Sequence, residues 1–437
     1  MASEKPGIGD LIRLHLVDGT VLEGIVMPST EFSGSDVIVV KLRNGYNIGV
    51  SKEKIAEIEV IQREAAEIGK IPPPARTEIE GRGEKNITLI STGGTIASKV
   101  EYETGAVRPA ITASELVEMV PELKDIAKRL RVVELMRVLS EDMRPTDWAR
   151  IAEEVLTQIR DGADAVVVAH GTDTMGYTAA AIAFALQELP LPIAFVGSQR
   201  SSDRPSTDAV FNLRAATATS LKAPFGESVV VMHGTPSDTY ALAHRGVRVR
   251  KMHSSRRDAF QSINARPLAK LTAPDFDVEI LTDNYIPRNR NGPRPFIGFD
   301  ERVALLYTYP GMRCEVIEYL AQDGVKGIVL AGTGLGHIPS YCIPSVRNVV
   351  DSGVFIGVTT QTLFGRVNLN VYSNGRKLIK AGAVPLADML PETAYAKLSW
   401  ALAHFSKEKV PEVMLTNIAG EISLRHEDDV YPRWYHG

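Results

Sequence analysis

Cysteine is scarce in this chain: Cys314 and Cys342 are the only two. Two thiols are too few for a disulfide framework, and no second pair stands near them to make a zinc site. Long apolar runs are also missing. No stretch reaches 18 apolar residues, and the opening MASEKPGIGD lacks the apolar core of a signal peptide. The expectation is a soluble cytoplasmic protein with no membrane segment. There is no basic excess either, since 49 Lys and Arg face 53 Asp and Glu for a net charge of −4. A chain that grips RNA over a wide surface is usually basic, so any nucleic-acid role here is local or shared with a partner. His170, His233 and His253 are not spaced as metal ligands, and no G-x-x-x-x-G-K-[ST] phosphate loop occurs.

The 437 residues suffice for two or three domains, and 44% hydrophobic with 23% charged residues is ordinary globular composition. Residues 1–63 differ from the rest. Short alternating stretches at Leu11–Leu16, Val21–Met27, Val37–Leu42 and Tyr46–Val50 are separated by Asp18-Gly19 and Asn44-Gly45 turns. This pattern predicts a small all-β barrel of the Sm-like or SH3-like kind, a module that docks RNA or protein. Residues 64–85, with Pro72-Pro73-Pro74, read as an interdomain linker.

From Asn86 the pattern alternates between strands and helices. Ile87–Ile90, Arg131–Leu135, Ala165–Ala169, Ile193–Val196 and Val229–Met232 are apolar runs of strand length. Asp147–Ile159 and Met175–Leu186 have helical spacing. The rhythm predicts a parallel sheet covered by helices over residues 86–290. A second, smaller α/β unit is expected over 300–410, and 411–437 reads as a polar tail.

The chemistry gathers at strand ends. The first strand breaks into Thr92-Gly93-Gly94-Thr95, a tight glycine turn that puts a hydroxyl where ligands sit in α/β sheets. Ala165–Ala169 runs into His170-Gly171-Thr172-Asp173-Thr174, and the strand toward Leu139 ends in Ser140-Glu141. A loop after Val229–Met232 is expected to carry Lys251, with Arg248, Arg250, Arg256 and Arg257 as a solvated basic cluster. If the sheet is parallel, all four loops share one edge.

STGGTIAS, HGTDTMGYTA and VRKMHSS together resemble the bacterial-type L-asparaginase/glutaminase family over about residues 86–410. The resemblance implies a two-domain α/β fold that hydrolyses a side-chain amide. It marks Thr95 as the nucleophile, and Thr172, Asp173 and Lys251 as a second catalytic set. Tyr102 falls on the mobile lid, which looks short here. Gly94, Gly171, Ser140 and Glu141 fall where substrate binds, although the simple enzymes usually carry Ser-Gln in place of Ser140-Glu141. A threonine hydroxyl needs activation to attack an amide. A lysine accepts a proton only when neutral, and Asp173 beside Lys251 pairs with an ammonium. The residues therefore leave open whether Tyr102 or Lys251 is the acting base.

The N-terminal barrel is unnecessary for a simple hydrolase. With it, the chain resembles the family of D subunits of archaeal glutamyl-tRNA(Gln) amidotransferases. That resemblance implies an E subunit as partner, which binds tRNA(Gln) and carries ATP and Mg2+, with no cofactor or metal on this chain. It also implies glutamine or asparagine as donor and a homodimer within a hetero-oligomer. The alternative is a stand-alone cytoplasmic L-asparaginase/glutaminase.

Overall fold

A computed structural model describes residues 6, 10–27, 36–42, 47–62, 74–93, 98–100, 107–109, 120–200, 206–425 and 430–431. The chain divides into two compact units, Met1–Pro73 and Pro74–Gly437.

The first unit is an antiparallel sheet. Its strands are β1 (Leu11–Leu16), β2 (Val21–Met27), β3 (Val37–Leu42), β4 (Asn47–Ser51) and β5 (Ile55–Gln62), in the order β4-β3-β2-β1-β5. The first turn works as the sequence requires. Gly19 takes φ +85°, and Asp18 Oδ1 accepts the Thr20 amide at 2.9 Å. Ile12, Leu14, Val26, Val40 and Val50 close its small core. The predicted Asn44-Gly45 turn lies outside the described residues.

The second unit is built on a nine-stranded sheet. Its strands begin with β6 (Ala75–Glu80) and β7 (Lys85–Gly93), followed by the short pair β8 (Ser98–Val100) and β9 (Val107–Pro109), which lie apart from it. Next come β10 (Ala127–Val138), β11 (Ala165–Ala169), the two-residue β12 (Leu186–Gln187), β13 (Ile193–Val196) and β14 (Ser228–His233). The order β10-β7-β11-β13-β14 is parallel throughout. In chain order that is 2-1-3-4-5, a doubly wound arrangement whose direction reverses between β7 and β11. Ligands in such sheets sit at the carboxyl ends of the strands beside that reversal.

Both faces of the parallel strands are buried, which explains their unbroken apolar runs. Helix α1 (Pro145–Arg160) and helix α2 (Met175–Ala185) supply side chains to the core on one face, and helix α3 (Ala209–Lys222) to the core on the other. Antiparallel strands β15 (Tyr240–Arg245), β18 (Ala269–Thr272) and β19 (Asp277–Ile280) extend one side. Between them, β16 (Val249–Lys251) and β17 (Phe260–Ser262) form a separate two-stranded ribbon. The strand β20 (Arg294–Pro295) pairs with β12.

A four-stranded parallel sheet follows: β21 (Val303–Tyr307), β22 (Gly327–Gly332), β23 (Phe355–Thr360) and β24 (Val384–Pro385). Helices α4 (Glu315–Gln322), α5 (Ile343–Asp351), α6 (Ser373–Lys380), α7 (Pro391–His404) and α8 (Val410–Leu415) complete it. Phe184 of α2 stacks on Trp400 of α7 at 5.8 Å, which joins the two sheets through one core.

Three expectations need correction. Residues 75–80 are not linker: β6 pairs antiparallel with β10 from Arg129↔Glu80 to Glu134↔Ala75. Residues 411–437 are not simply a tail. The α8 helix packs Val410 and Met414 into the core, and Glu421 is fully buried. The two cysteines pair, Cys314 with Cys342, across 28 positions. Among the described residues no helix is long and apolar enough to cross a membrane.

Candidate active site

The site lies where the order of strands predicts. At the end of β7, Gly93 takes φ +105°, and a Cβ there would come within 2.5 Å of Val138 O. Only glycine lets the chain turn so close to β10. Gly94, Thr95 and Tyr102 lie outside the described residues. Thr92 Oγ1 donates to Ala169 O at 3.0 Å and ties the ends of β7 and β11 together across the reversal.

The end of β11 is held from three sides. A Cβ on Gly171 would approach Ser140 Cβ within 2.6 Å, so this glycine permits contact with the end of β10. Thr174 Oγ1 donates to Ser140 O at 2.6 Å. Gly197 lies so close to Thr172 that a Cβ there would meet Thr172 Cγ2 at 2.7 Å.

A buried chain of hydrogen bonds fixes His170. Trp148 Nε1 donates to Thr178 Oγ1 at 3.1 Å, Thr178 Oγ1 donates to His170 Nε2 at 2.9 Å, and His170 Nδ1 donates to Gly171 O at 2.7 Å. An indole can only donate and a carbonyl can only accept, so the chain has one direction and the ring carries its proton on Nδ1. Burial pushes the His170 ring down to about 4, so it is neutral.

Lys251 completes the cluster. Its Nζ donates to Thr172 Oγ1 at 2.8 Å and to Asp173 Oδ1 at 2.8 Å. The Thr172 residue and the Lys251 side chain are 6% and 12% exposed, whereas the Asp173 side chain is 65% exposed. The ammonium is thus anchored on a wet carboxylate and aimed at a nearly buried hydroxyl. Such a donor stabilises negative charge developing on the threonine oxygen.

The structure therefore brings Thr172, Asp173 and Lys251 together and sets Ser140 and Gly171 beside them. Glu141 turns back on its neighbour, its carboxylate accepting from Ser140 Oγ at 3.4 Å. Lys251 does not sit on a long loop as expected; it ends β16, pairing with Phe260 of β17. Nor is the basic cluster simply solvated. Arg248 is 1% exposed and donates to Asp388 Oδ2 at 3.0 Å, while Arg250 reaches Glu392 at 2.9 Å and Tyr307 OH at 3.1 Å. Two arginines so close in sequence, each needing a distant acid, leave no local signal that they are buried. Among the described residues no three His, Cys, Asp or Glu side chains gather as metal ligands.

Family comparisons agree with this geometry. The asparaginase N-terminal domain matches residues 86–283, the glutaminase/asparaginase C-terminal domain matches 302–414, and the GatD N-terminal domain matches 7–61. The D subunit of the glutamyl-tRNA(Gln) amidotransferase of Pyrococcus furiosus is 52% identical over 421 residues, covering 95% of each chain. That of Sulfolobus acidocaldarius is 50% identical over 431 residues, covering 98% of this chain and 94% of the relative. Among solved structures, the thermostable L-asparaginase from Thermococcus kodakarensis superposes with a TM-score of 0.69 at 31% identity, over 77% of this chain and 99% of that one. L-asparaginase I from Vibrio cholerae gives 0.67 at 28%, over 78% and 100%. The asparaginases match in full yet leave about a fifth of this chain uncovered, whereas the D subunits match nearly end to end. The chain belongs to the family of glutamyl-tRNA(Gln) amidotransferase D subunits, amidohydrolases of asparaginase fold with an added N-terminal β domain.

Proposed function

We propose that this chain hydrolyses the side-chain amide of glutamine or asparagine and passes the ammonia to an E subunit, which converts glutamyl-tRNA(Gln) to glutaminyl-tRNA(Gln). The observation that carries the reading is the Thr172–Lys251–Asp173 cluster at the sheet reversal of a chain related to the D subunits. ATP and Mg2+ act on the E subunit, which also holds most of the tRNA. This chain pairs with a second copy inside the cytoplasmic complex.

The chemistry starts from a threonine hydroxyl. Its oxygen attacks the carboxamide carbon, the C–O bond forms, and the hydroxyl proton goes to a base. The carbonyl electron pair moves to oxygen, where backbone N–H groups such as that of Gly171 receive it. Collapse breaks the C–N bond, and the nitrogen takes a proton and leaves as ammonia. Water then cleaves the ester and releases glutamate or aspartate. Thr95, which follows β7 in the sequence, is the nucleophile in this reading, and Tyr102 and Lys251 are the two choices for the base. With Tyr102 as the base, Lys251 polarises Thr172 as an ammonium that Asp173 holds in place; with Lys251 as the base, it acts as the neutral amine. Ser140 and Glu141 receive the amino-acid head of the donor.

The test is steady-state glutamate release by the full chain, with and without E subunit and glutamyl-tRNA. Thr172→Val is expected to lose about 10²-fold or more. Retention of more than about a tenth of the rate would remove Thr172 from the site. Full hydrolysis by the chain alone, unchanged by E subunit and tRNA, would favour a stand-alone asparaginase.

A further inference from the structure

His233 ends β14, is 0% exposed and has no part in the chemistry described above. Both of its ring nitrogens are engaged. Nδ1 lies 2.6 Å from Asn212 Oδ1, and Nε2 lies 2.9 Å from Asp238 Oδ1. We infer that His233 is a positioning residue for the reaction: through Asn212 and Gly197 it holds the Thr172 hydroxyl on Lys251. This role rests on the part given to Thr172 in the proposed function.

The direction of the bonds follows from Asn212, which sits on α3 and is fully buried. Its Nδ2 donates to Gly197 O at 3.0 Å and to Asp208 Oδ2 at 3.1 Å. Two acceptors on that side fix the amide nitrogen there, so the amide oxygen faces the ring and accepts from Nδ1. The contact of Nε2 with the Asp238 carboxylate is made when that nitrogen also carries a proton. Burial pulls the ring below the ordinary histidine value, and Asp238 and Asp208 pull it back up. The Nδ1 bond is made by the neutral and the charged ring alike, so the hold on Asn212 does not depend on that balance.

Asn212 acts on the segment that follows β13. Asp208, one helical turn before it, accepts the amides of Gln199 at 3.0 Å and Arg200 at 3.1 Å, while Asn212 takes Gly197 O. The backbone held in this way borders Thr172. A Cβ on Gly197 would stand 2.7 Å from Thr172 Cγ2, so the bare glycine is the seat of the threonine methyl. A threonine methyl and hydroxyl exchange places by a χ1 rotation of about 120°. With the methyl seated on Gly197, the hydroxyl is left 2.8 Å from Lys251 Nζ. Should Gly197 draw back, the methyl loses its seat and the hydroxyl can turn away from the lysine.

Asparagine and glutamine separate the two ring nitrogens. An asparagine side chain carries its NH2 near the place of Nδ1, and a glutamine side chain near the place of Nε2. His233→Asn therefore keeps the bond to Asn212, and His233→Gln keeps only the contact with Asp238. The first measurement is the NMR signal of the Thr172 methyl in the full chain, assigned by its loss in Thr172→Val. The second is steady-state amide hydrolysis with E subunit and glutamyl-tRNA present. The Thr172 methyl is expected to keep its position in His233→Asn and to move in His233→Gln. His233→Asn is expected to hold kcat within about twofold, and His233→Gln to lose about tenfold in kcat with KM within about twofold.

A His233→Asn chain as impaired as His233→Gln, or two variants equal to the wild type, would overturn the inference. So would a His233→Gln chain that does not fold, since the bond would then serve the fold alone. A loss carried by KM, or a methyl shift without a loss of kcat where Thr172→Val is inactive, overturns it as well. Full hydrolysis by Thr172→Val, with the methyl response of the histidine variants intact, would refute the part of Thr172 in the proposed function and leave its placement by His233 standing.

Discussion

Lys397→Met isolates the contact that holds the C-terminal segment to the core. The Lys397 Nζ is 0% exposed and donates to Glu421 Oε1 at 2.6 Å, Thr416 O at 2.5 Å and Met414 O at 3.2 Å. Burial pushes the ammonium below the ordinary lysine range, and Glu421 pulls it back up. Methionine has similar length and no charge, so the substitution strands a buried carboxylate and two carbonyls. Breaking a buried pair from one side costs about 3–5 kcal/mol. Glu421 keeps the amides of Ile418 at 3.0 Å and Ala419 at 2.7 Å, which places the cost at the lower end. The unit Pro74–Gly437 should unfold with an entropy near 0.8 kcal/mol/K, scaling from about 2.1 cal/mol/K per residue. A loss of about 3–4 kcal/mol then lowers the melting temperature by about 4–5 °C. Calorimetry of Lys397→Met, Glu421→Gln and the double variant measures it. The double variant should melt above the additive expectation, because the second change removes the stranded charge. A single-variant melt within about 1 °C of wild type, or strict additivity, would refute the reasoning.

Acid should unfold the chain through its buried histidines. Burial holds His170 at about 4 and His244 at about 3, both below an ordinary histidine, so the unfolded chain binds their protons first. Stability is complete above about pH 6.5 and falls below it by up to about 1.4 kcal/mol per pH unit for each ring; urea melts that do not change between pH 6.5 and 4.5 would contradict this. Deleting residues 1–73 should leave a folded amidohydrolase unit, whereas deleting 1–80 removes β6 and the Arg131–Glu78 and Arg76–Glu154 ion pairs. The longer deletion should melt lower than the shorter one, and equal melting would show that β6 contributes nothing. Replacing Cys314 and Cys342 by serine opens a loop of 28 positions and should cost about 3–4 kcal/mol in guanidinium melts, with a reductant giving the same loss in the wild-type chain.

The parallel centre of the sheet was legible because its signals are local. Val166, Val167 and Val168 announce a strand buried on both faces, and Gly171 marks its end within three residues. Other elements depend on distant partners. The ARTEIE strand β6 carries charge at half its positions and reads as linker until β10 pairs with it. The segment 416–423 has no periodicity, since Lys397, Arg248 and Asp388 hold it by side chains far away in sequence. Helix α3 escaped notice because alanine and threonine cover its buried surface, blurring the amphipathic stripe that marks a helix. Within the candidate site, Thr172-Asp173 was readable from the motif. The placement of Lys251 on a ribbon required the pairing of β16 with β17.

The margins of the nine-stranded sheet bear on polymerisation. One margin is β6, with Arg76, Glu78 and Glu80, and the other is β19, with Asp277 and Glu279. A strand added to either margin would lie beside a row of alternating charges already engaged with Arg131, Glu154 and Lys270. That arrangement discourages edge-to-edge growth into fibres. The charged margins of this wide sheet, with its valine-rich centre, are thus poor templates for edge pairing.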